Sequence, residues 1–337
     1  MRLAVLGLGF MGSTHVAAMR GLPGVELAAV YSGDEKKLAG DLTSVRGNLG
    51  AGGECMDFSR VRKYNDLEAV LADSRLDAVD LCLPTYLHDS VAVEAMRAGK
   101  HVLVEKPMAL DPYGADRMIN AARRYKRVLM TAQVLRFFPE YMALREVIAN
   151  GKLGRCRFAS FRRSCAAPAW GGWLQEPEQS GGGVFDLLIH DVDMCLHLFG
   201  RPKAVCASGY CDPGLGIDCM DAQLFYEDGI AAISGGWHNS GDFPFRMEYC
   251  VTLDGGTVEY SSLGRPPTLY SAMGGSQPLD LATRDGYAGE IAYFAECCDT
   301  ETEPERCPPA ESADAVKVMR LLLESRNRKG AKMLCNL

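Results

Sequence analysis

No run of about 18 or more apolar residues occurs in the 337-residue chain, so the sequence offers no helix long enough to span a bilayer. It also lacks an excess of positive charge. The 36 basic and 43 acidic side chains leave a formal charge of −7, which gives no general pull toward nucleic acid or an anionic membrane. The one basic cluster, Arg326 to Lys329, ends a predicted helix, where cations oppose the negative end of the dipole. Cysteine is plentiful, but its 13 residues include no CxxC pair, their number is odd, and several lie in apolar runs such as Leu81-Cys82-Leu83. Free thiols in a reducing compartment account for this better than disulfides. The short, glycine-punctuated start Met1 to Met11 lacks a small-residue cleavage site and reads as a first strand and turn. Neither an HExxH motif, an internal repeat nor a low-complexity segment is present. These absences make a cytoplasmic globular protein the expectation, with partners among small molecules rather than nucleic acid or membrane.

What is present divides in two. Apolar strands alternate with helical segments in the first part: Arg2 to Leu6, Val25 to Tyr31, Asp77 to Leu83, His101 to Val104 and Val128 to Gln133 read as strands of a parallel sheet. Residues 46–60, glycine-rich and without clear periodicity, read as an insertion. Further on, strand patterns follow one another with short turns, Asp254-Gly255-Gly256 among them, and three helices are expected near residues 183–198, 289–298 and 310–327. The fold class is therefore α/β: a dinucleotide-binding Rossmann domain over residues 1–130, then a substrate-binding and oligomerisation domain over residues 131–337 with a mostly antiparallel open sheet.

Between the first strand and first helix stands Gly7-Leu8-Gly9-Phe10-Met11-Gly12. In such a fingerprint the first glycine permits a tight turn, the second lets backbone approach a pyrophosphate, and the third lets helix pack on strand. The amides at the helix start then receive the phosphates. The acid that usually follows about 20 residues later to hold a ribose is replaced by Ser32. Lys36 and Lys37 offer charge to a 2′-phosphate, whereas Asp34 offers a ribose contact, and a plain polar turn accounts for the segment equally well.

These motifs, together with Leu81-Cys82-Leu83-Pro84-Thr85-Tyr86-Leu87-His88, Glu105-Lys106-Pro107, Gln133-Val134-Leu135-Arg136-Phe137 and Gly181-Gly182-Gly183-Val184-Phe185-Asp186-Leu187-Leu188-Ile189-His190, resemble the Gfo/Idh/MocA family of nicotinamide-dependent oxidoreductases. The resemblance implies NAD(P) as cofactor, bound through Gly7, Gly9, Phe10, Met11, Gly12, Ser32, Pro84, His88, Glu105, Lys106 and Gln133. The loss of the acid at Ser32 tips the choice slightly toward NADP. It further implies hydride exchange with a sugar, an inositol-like polyol or a related carbonyl compound, in a homo-oligomer, and a Lys106-Pro107 bond that is often cis.

Oxidising an alcohol takes a hydride from carbon and a proton from oxygen, so the site needs a base and a cation that steadies the alkoxide. The resemblance makes His190 the proton-transfer residue and Asp186, one helical turn before it, its helper, with Lys106 as the third catalytic group. Arg136 and Trp173, with Trp170, are candidates to grip the substrate beside Lys106, Asp186 and His190, and packing at a domain junction is their plainer role. Asp193 and His197 continue the Asp186, His190 stripe and raise the question of a metal, for which no further ligand motif speaks. His15, His101 and His238 carry no motif and read as structural. Two other functions fit the same residues: a glycosidase that oxidises its sugar transiently with tightly held NAD, and a cofactor-binding regulator without catalysis.

Overall fold

The computed structural model describes residues 1–47, 53–169 and 171–337. Its contacts separate into two compact units, Met1–Val134 with Arg284–Ala313, and Leu135–Thr283 with Asp314–Leu337. A single cut near residue 130 therefore does not describe the chain: the segment Arg284–Ala313 returns to the first unit.

The first unit runs β1 (Arg2–Leu6), α1 (Phe10–Ala18), β2 (Glu26–Tyr31), α2 (Glu35–Leu38), β3 (Arg62–Tyr64), α3 (Leu67–Ala72), β4 (Ala78–Leu81), α4 (His88–Arg97), β5 (His101–Glu105), α5 (Pro112–Tyr125) and β6 (Leu129–Ala132). Its strands form a parallel sheet of order β3-β2-β1-β4-β5-β6. Strands buried on both faces must be apolar throughout, and Val102, Leu103 and Val104 in β5 are fully buried. Local chemistry sets the helix ends. Asp111 caps α5 by accepting from Gly114 N at 2.9 Å, Pro112 follows in the first turn, and Lys126 closes the helix in the left-handed region. The apparent insertion is partly core: Met56 and Phe58 within it are buried, and its Cys55 bridges back to Asp41. Residues 48–52 of that segment lie outside the described residues.

The second unit contains α6 (Pro139–Ala149), β7 (Cys156–Cys165), α7 (Pro177–Ser180), α8 (Gly183–Phe199), β8 (Ala204–Asp212), β9 (Ile217–Phe225), β10 (Ile230–Trp237), β11 (Arg246–Leu253), β12 (Gly256–Ser261), β13 (Arg265–Ser271) and β14 (Ser276–Pro278). After these, α9 (Gly286–Thr300) rejoins the first unit, where it packs on α1, and α10 (Pro309–Asn327) and β15 (Met333–Leu334) end the chain. The sheet order is β14-β13-β12-β11-β7-β10-β9-β8-β15. It is antiparallel except where β10 runs parallel to β7, from Ile230 beside Phe158 to Trp237 beside Cys165. Two-fold alternation decides its faces: β11 reads intermediate, buried, intermediate, buried along all eight residues.

Candidate active site

In the first unit the strand order reverses between β1 and β4, and open α/β sheets bind ligands beyond the carboxyl ends of strands at such a point. The glycine loop lies there. Gly7 sits at φ +101°, and a Cβ on it would meet Cys82 O at 2.4 Å. A Cβ on Gly12 would lie 1.8 Å from Gly7 O, so this glycine permits the closeness of loop and helix. At Gly9 a Cβ would meet nothing within 4 Å. Gly9 is also the N-cap of α1, with no side-chain capping bond, so no capping side chain answers the amides of the first turn at the positive end of the dipole. Loop and helix start therefore fit a dinucleotide pyrophosphate. Phe10 and Met11, in that first turn, are partly exposed.

Beyond β2, Ser32 donates its backbone N–H to Tyr64 O at 3.1 Å, and its hydroxyl oxygen accepts from Asp34 N at 3.1 Å. Asp34 in turn caps α2, with Oδ1 accepting from Lys36 N at 2.9 Å and Lys37 N at 3.4 Å. Both residues thus shape the turn, and the Ser32 hydroxyl keeps a proton to donate. Lys36 is exposed and Lys37 partly so.

The loops after β4 and β5 are tied together by His88. This residue, expected beside the nicotinamide, is 1% exposed, and its ring nitrogens lie 2.8 Å from Pro107 O and 2.8 Å from Leu83 O. With both nitrogens on backbone carbonyls, its side chain braces the loops rather than facing a ligand. Burial pushes this imidazole down, against the two carbonyls that favour its protonation. Pro84 starts the intervening turn, and the Lys106-Pro107 peptide is cis. Lys106 is partly exposed at the carboxyl end of β5, while Glu105 is 6% exposed and accepts from Lys106 N at 3.0 Å through Oε2. Gln133, just past β6, is 1% exposed, and neither atom of its amide has a hydrogen-bond partner among the described residues. An amide left so in a protein interior calls for a partner.

In the second unit α8 carries Asp186 and His190, both partly exposed on a helix otherwise largely buried. Gly181 and Gly182 precede it, with φ of +84° and +92°, and Gly183 opens it where space is short: a Cβ there would lie 2.7 Å from the Trp237 ring. Val184 N donates to Asp218 Oδ2 at 2.9 Å. Farther along, Asp191 takes a two-pronged bond from Arg163, at 2.8 and 3.0 Å, and Arg163 also reaches Tyr141 Oη at 3.2 Å. Asp193 takes another from Arg136, at 2.8 and 2.7 Å. All four charged groups are buried, and removing one partner of such a pair costs about 3–5 kcal/mol because the other is stranded. Arg136, expected to grip substrate, is thus committed to α8, and Asp193 leaves the stripe proposed as a metal question. Trp173 lies partly buried in the short turn Gly172–Gln175, and Trp170 lies outside the described residues. A separate polar cavity of about 280 Å³, lined by Arg162, Ser164, Asp221, Ser234, His238 and Arg246 among others, includes neither Asp186 nor His190.

Sequence reasoning missed the two buried ion pairs of α8 and a cluster around His15, which had read as structural. Asp80 was the available signal for the cluster, because a carboxylate inside the apolar strand Ala78–Leu81 requires a partner.

Residues 1–133 match the model of an oxidoreductase family with an NAD-binding Rossmann fold, and residues 141–259 match the GFO/IDH/MocA C-terminal domain. A 1,5-anhydro-D-fructose reductase of Ensifer adhaerens is 37% identical over 260 residues, 72% of this chain and 75% of its own length. An NADP(+)-linked scyllo-inositol 2-dehydrogenase of Bacillus subtilis is 28% identical over 243 residues, 69% of this chain and 68% of its own. With other curated relatives the match spans between 42% and 66% of their length, about half of most of them. Among solved structures, an aldose-aldose oxidoreductase of Caulobacter crescentus complexed with glycerol superposes with a TM-score of 0.84 at 22% identity, over 99% of each chain, a likeness of fold. No helix among the described residues is long and apolar enough to cross a membrane.

Proposed function

The chain belongs to the Gfo/Idh/MocA family of oxidoreductases, and from that premise we propose that it is an NAD(P)-dependent dehydrogenase or reductase acting on a sugar, an inositol-like polyol or a related carbonyl compound. The observation that carries this reading is the start of α1, where an uncapped helix end and the open position at Gly9 suit a pyrophosphate. When bound, the nicotinamide supplies the hydride acceptor or donor. In the oxidative direction His190 takes the hydroxyl proton, Asp186 holds the imidazole ready, and Lys106 steadies the alkoxide as the carbonyl forms. Gln133, with its unpartnered amide, offers the nicotinamide end a hydrogen-bonding group. Asp193 and Arg136 hold α8 while this happens.

Ser32 in place of the ribose-binding acid removes the charge that would repel a 2′-phosphate, so NADP is expected to serve at least as well as NAD. The test is a panel containing myo-inositol, scyllo-inositol, 1,5-anhydrofructose and simple aldoses, each followed by reduced-nicotinamide absorbance with both cofactors. Stoichiometric cofactor turnover is expected. Substrate cleavage without net reduction would point instead to a redox-assisted glycosidase, and a strong preference for NAD that disappears in Asp34→Ala would transfer the ribose contact to Asp34.

A homo-oligomer is part of the same reading. Phe158 and Ile230 stand side by side on β7 and β10, 46% and 38% exposed, on the sheet face opposite buried Ala159 and Ala231. Light scattering of the purified protein is expected to give a multiple of 36.6 kDa. A monomer mass at micromolar concentration would refute this part.

A further inference from the structure

One and a half turns into α1, beyond the glycine loop, His15 is fully buried among acids. Its Nδ1 lies 2.8 Å from Asp80 Oδ2, in the middle of β4. Its Nε2 lies 3.2 Å from Glu105 Oε1, at the end of β5, and 3.9 Å from Glu290 Oε1 on α9. The second oxygen of Glu105 receives the backbone N–H of Lys106. A line of contacts therefore runs from Asp80 through His15 and Glu105 to the peptide of Lys106, entirely within the first unit.

Nδ1 is hydrogen-bonded to Asp80, whereas Nε2 makes no hydrogen bond among the described residues, so its 3.2 Å approach to Glu105 is an ion-pair contact that a charged ring sustains. The other groups facing it are Cys82, with Sγ 3.6 Å from Nδ1, and from α9 Glu290 and Tyr287, whose ring centroid is 6.0 Å away. Glu290 is fully buried and both its oxygens lack hydrogen-bond partners among the described residues. Burial pushes its carboxyl well up, with His15 beside it acting the other way. Burial alone would push the His15 imidazole down, but Asp80 and Cys82 beside it carry it well above its ordinary range. Through its ion-pair contact with Glu105 the ring joins the helix that begins at the cofactor loop to the residue preceding the proposed catalytic lysine.

We propose that His15 is a positioning residue for the reaction: bridging Asp80 and Glu105, it fixes Glu105 and through it the backbone of Lys106, so that the cofactor helix and the lysine are held in register. This rests on the role given to Lys106 above.

Two near-isosteric replacements separate the halves of the bridge. Asparagine at position 15 sets an amide near Nδ1 and keeps the Asp80 contact, whereas glutamine sets one near Nε2 and keeps the contact to Glu105. With both variants folded by circular dichroism, His15→Asn is expected to lose up to ~10²-fold in turnover on the best panel compound, the scale of a small misplacement at a reacting centre. NADP affinity by calorimetry should be little changed. His15→Gln should recover most of the rate. Equal turnover in the two variants overturns the proposal. Lys106→Ala, run alongside, keeps the two readings apart: undiminished turnover in it refutes the role of Lys106, whereas a dead Lys106→Ala beside an unimpaired His15→Asn refutes only the positioning by His15. Independently of any substrate, histidine ¹⁵N resonances at pH 8 should include a buried imidazolium in the wild-type protein that is missing from His15→Asn. Only neutral rings in the wild type would remove the bridge.

Discussion

His190→Ala is expected to lower turnover by ~10²–10⁴-fold, the usual worth of a positioned acid-base group, and to leave the protein folded. The second expectation follows from the way α8 is held. Its buried fastenings are Asp191 to Arg163 and Asp193 to Arg136, while His190 itself is only partly buried, so truncating it severs neither pair. NADP affinity should barely change, since the glycine loop belongs to the first unit and His190 to the second. In the oxidative direction the neutral imidazole accepts the proton, so wild-type turnover should rise with pH through the neutral range. That rise should be absent from His190→Ala. Lys106→Ala should differ in kind: Lys106 directly follows a Rossmann strand, so its removal should weaken the nicotinamide end as well as turnover. The pH profiles of wild type and His190→Ala on the best panel compound decide the matter. A rise that survives in the variant would move the base elsewhere, with Lys106 next in line.

Where the sequence was legible, a local rule and the global fold agreed. β10 was readable over its whole length, Ile230–Trp237, and α6 over Pro139–Ala149, because alternation or helical period, turn residues and a proline at the first turn point the same way. β13 escaped notice because Pro266 and Pro267 argue against a strand, and proline is tolerated only toward a sheet edge, where β13 lies with only three-residue β14 outside it. The return of α9 to the first unit was illegible for another reason: an amphipathic helix says that it must pack, not on which domain. The site divides likewise. Motif spacing marked Gly7, Gly9, Gly12, Lys106, Asp186 and His190, whereas the braces behind them, His88 across two loops, Arg136 and Arg163 on α8, and His15 between two strands, join residues far apart in sequence. Charged residues in apolar segments signal that a partner exists without naming it.

The glycine loop carries the other large effect, and the structure decides which glycine can report it. Gly12, the third of the fingerprint, is the position at which the motif alone would place an acid to repel a phosphate. A Cβ there would stand 1.8 Å from Gly7 O, however, so any side chain displaces loop or helix, and lost binding would only register damage. Gly9 is different. Its φ of −83° suits any residue, and a Cβ on it meets nothing within 4 Å. Gly9→Asp should therefore fold, and because aspartate is a favoured N-cap residue and α1 has no side-chain cap, its melting temperature should match or exceed that of wild type. The same carboxylate would take up the first-turn amides and set a negative charge where the pyrophosphate is to lie. Affinity for NADP is expected to fall by ~10²-fold or more, about 3 kcal/mol at ~1.4 kcal/mol per decade. Gly9→Ala, adding bulk without charge, should lose less. Calorimetry and thermal unfolding on the same samples give both quantities. A stable Gly9→Asp that binds NADP and NAD as tightly as wild type would mean that the uncapped end of α1 does not hold a dinucleotide, and the functional reading would lose the observation on which it stands.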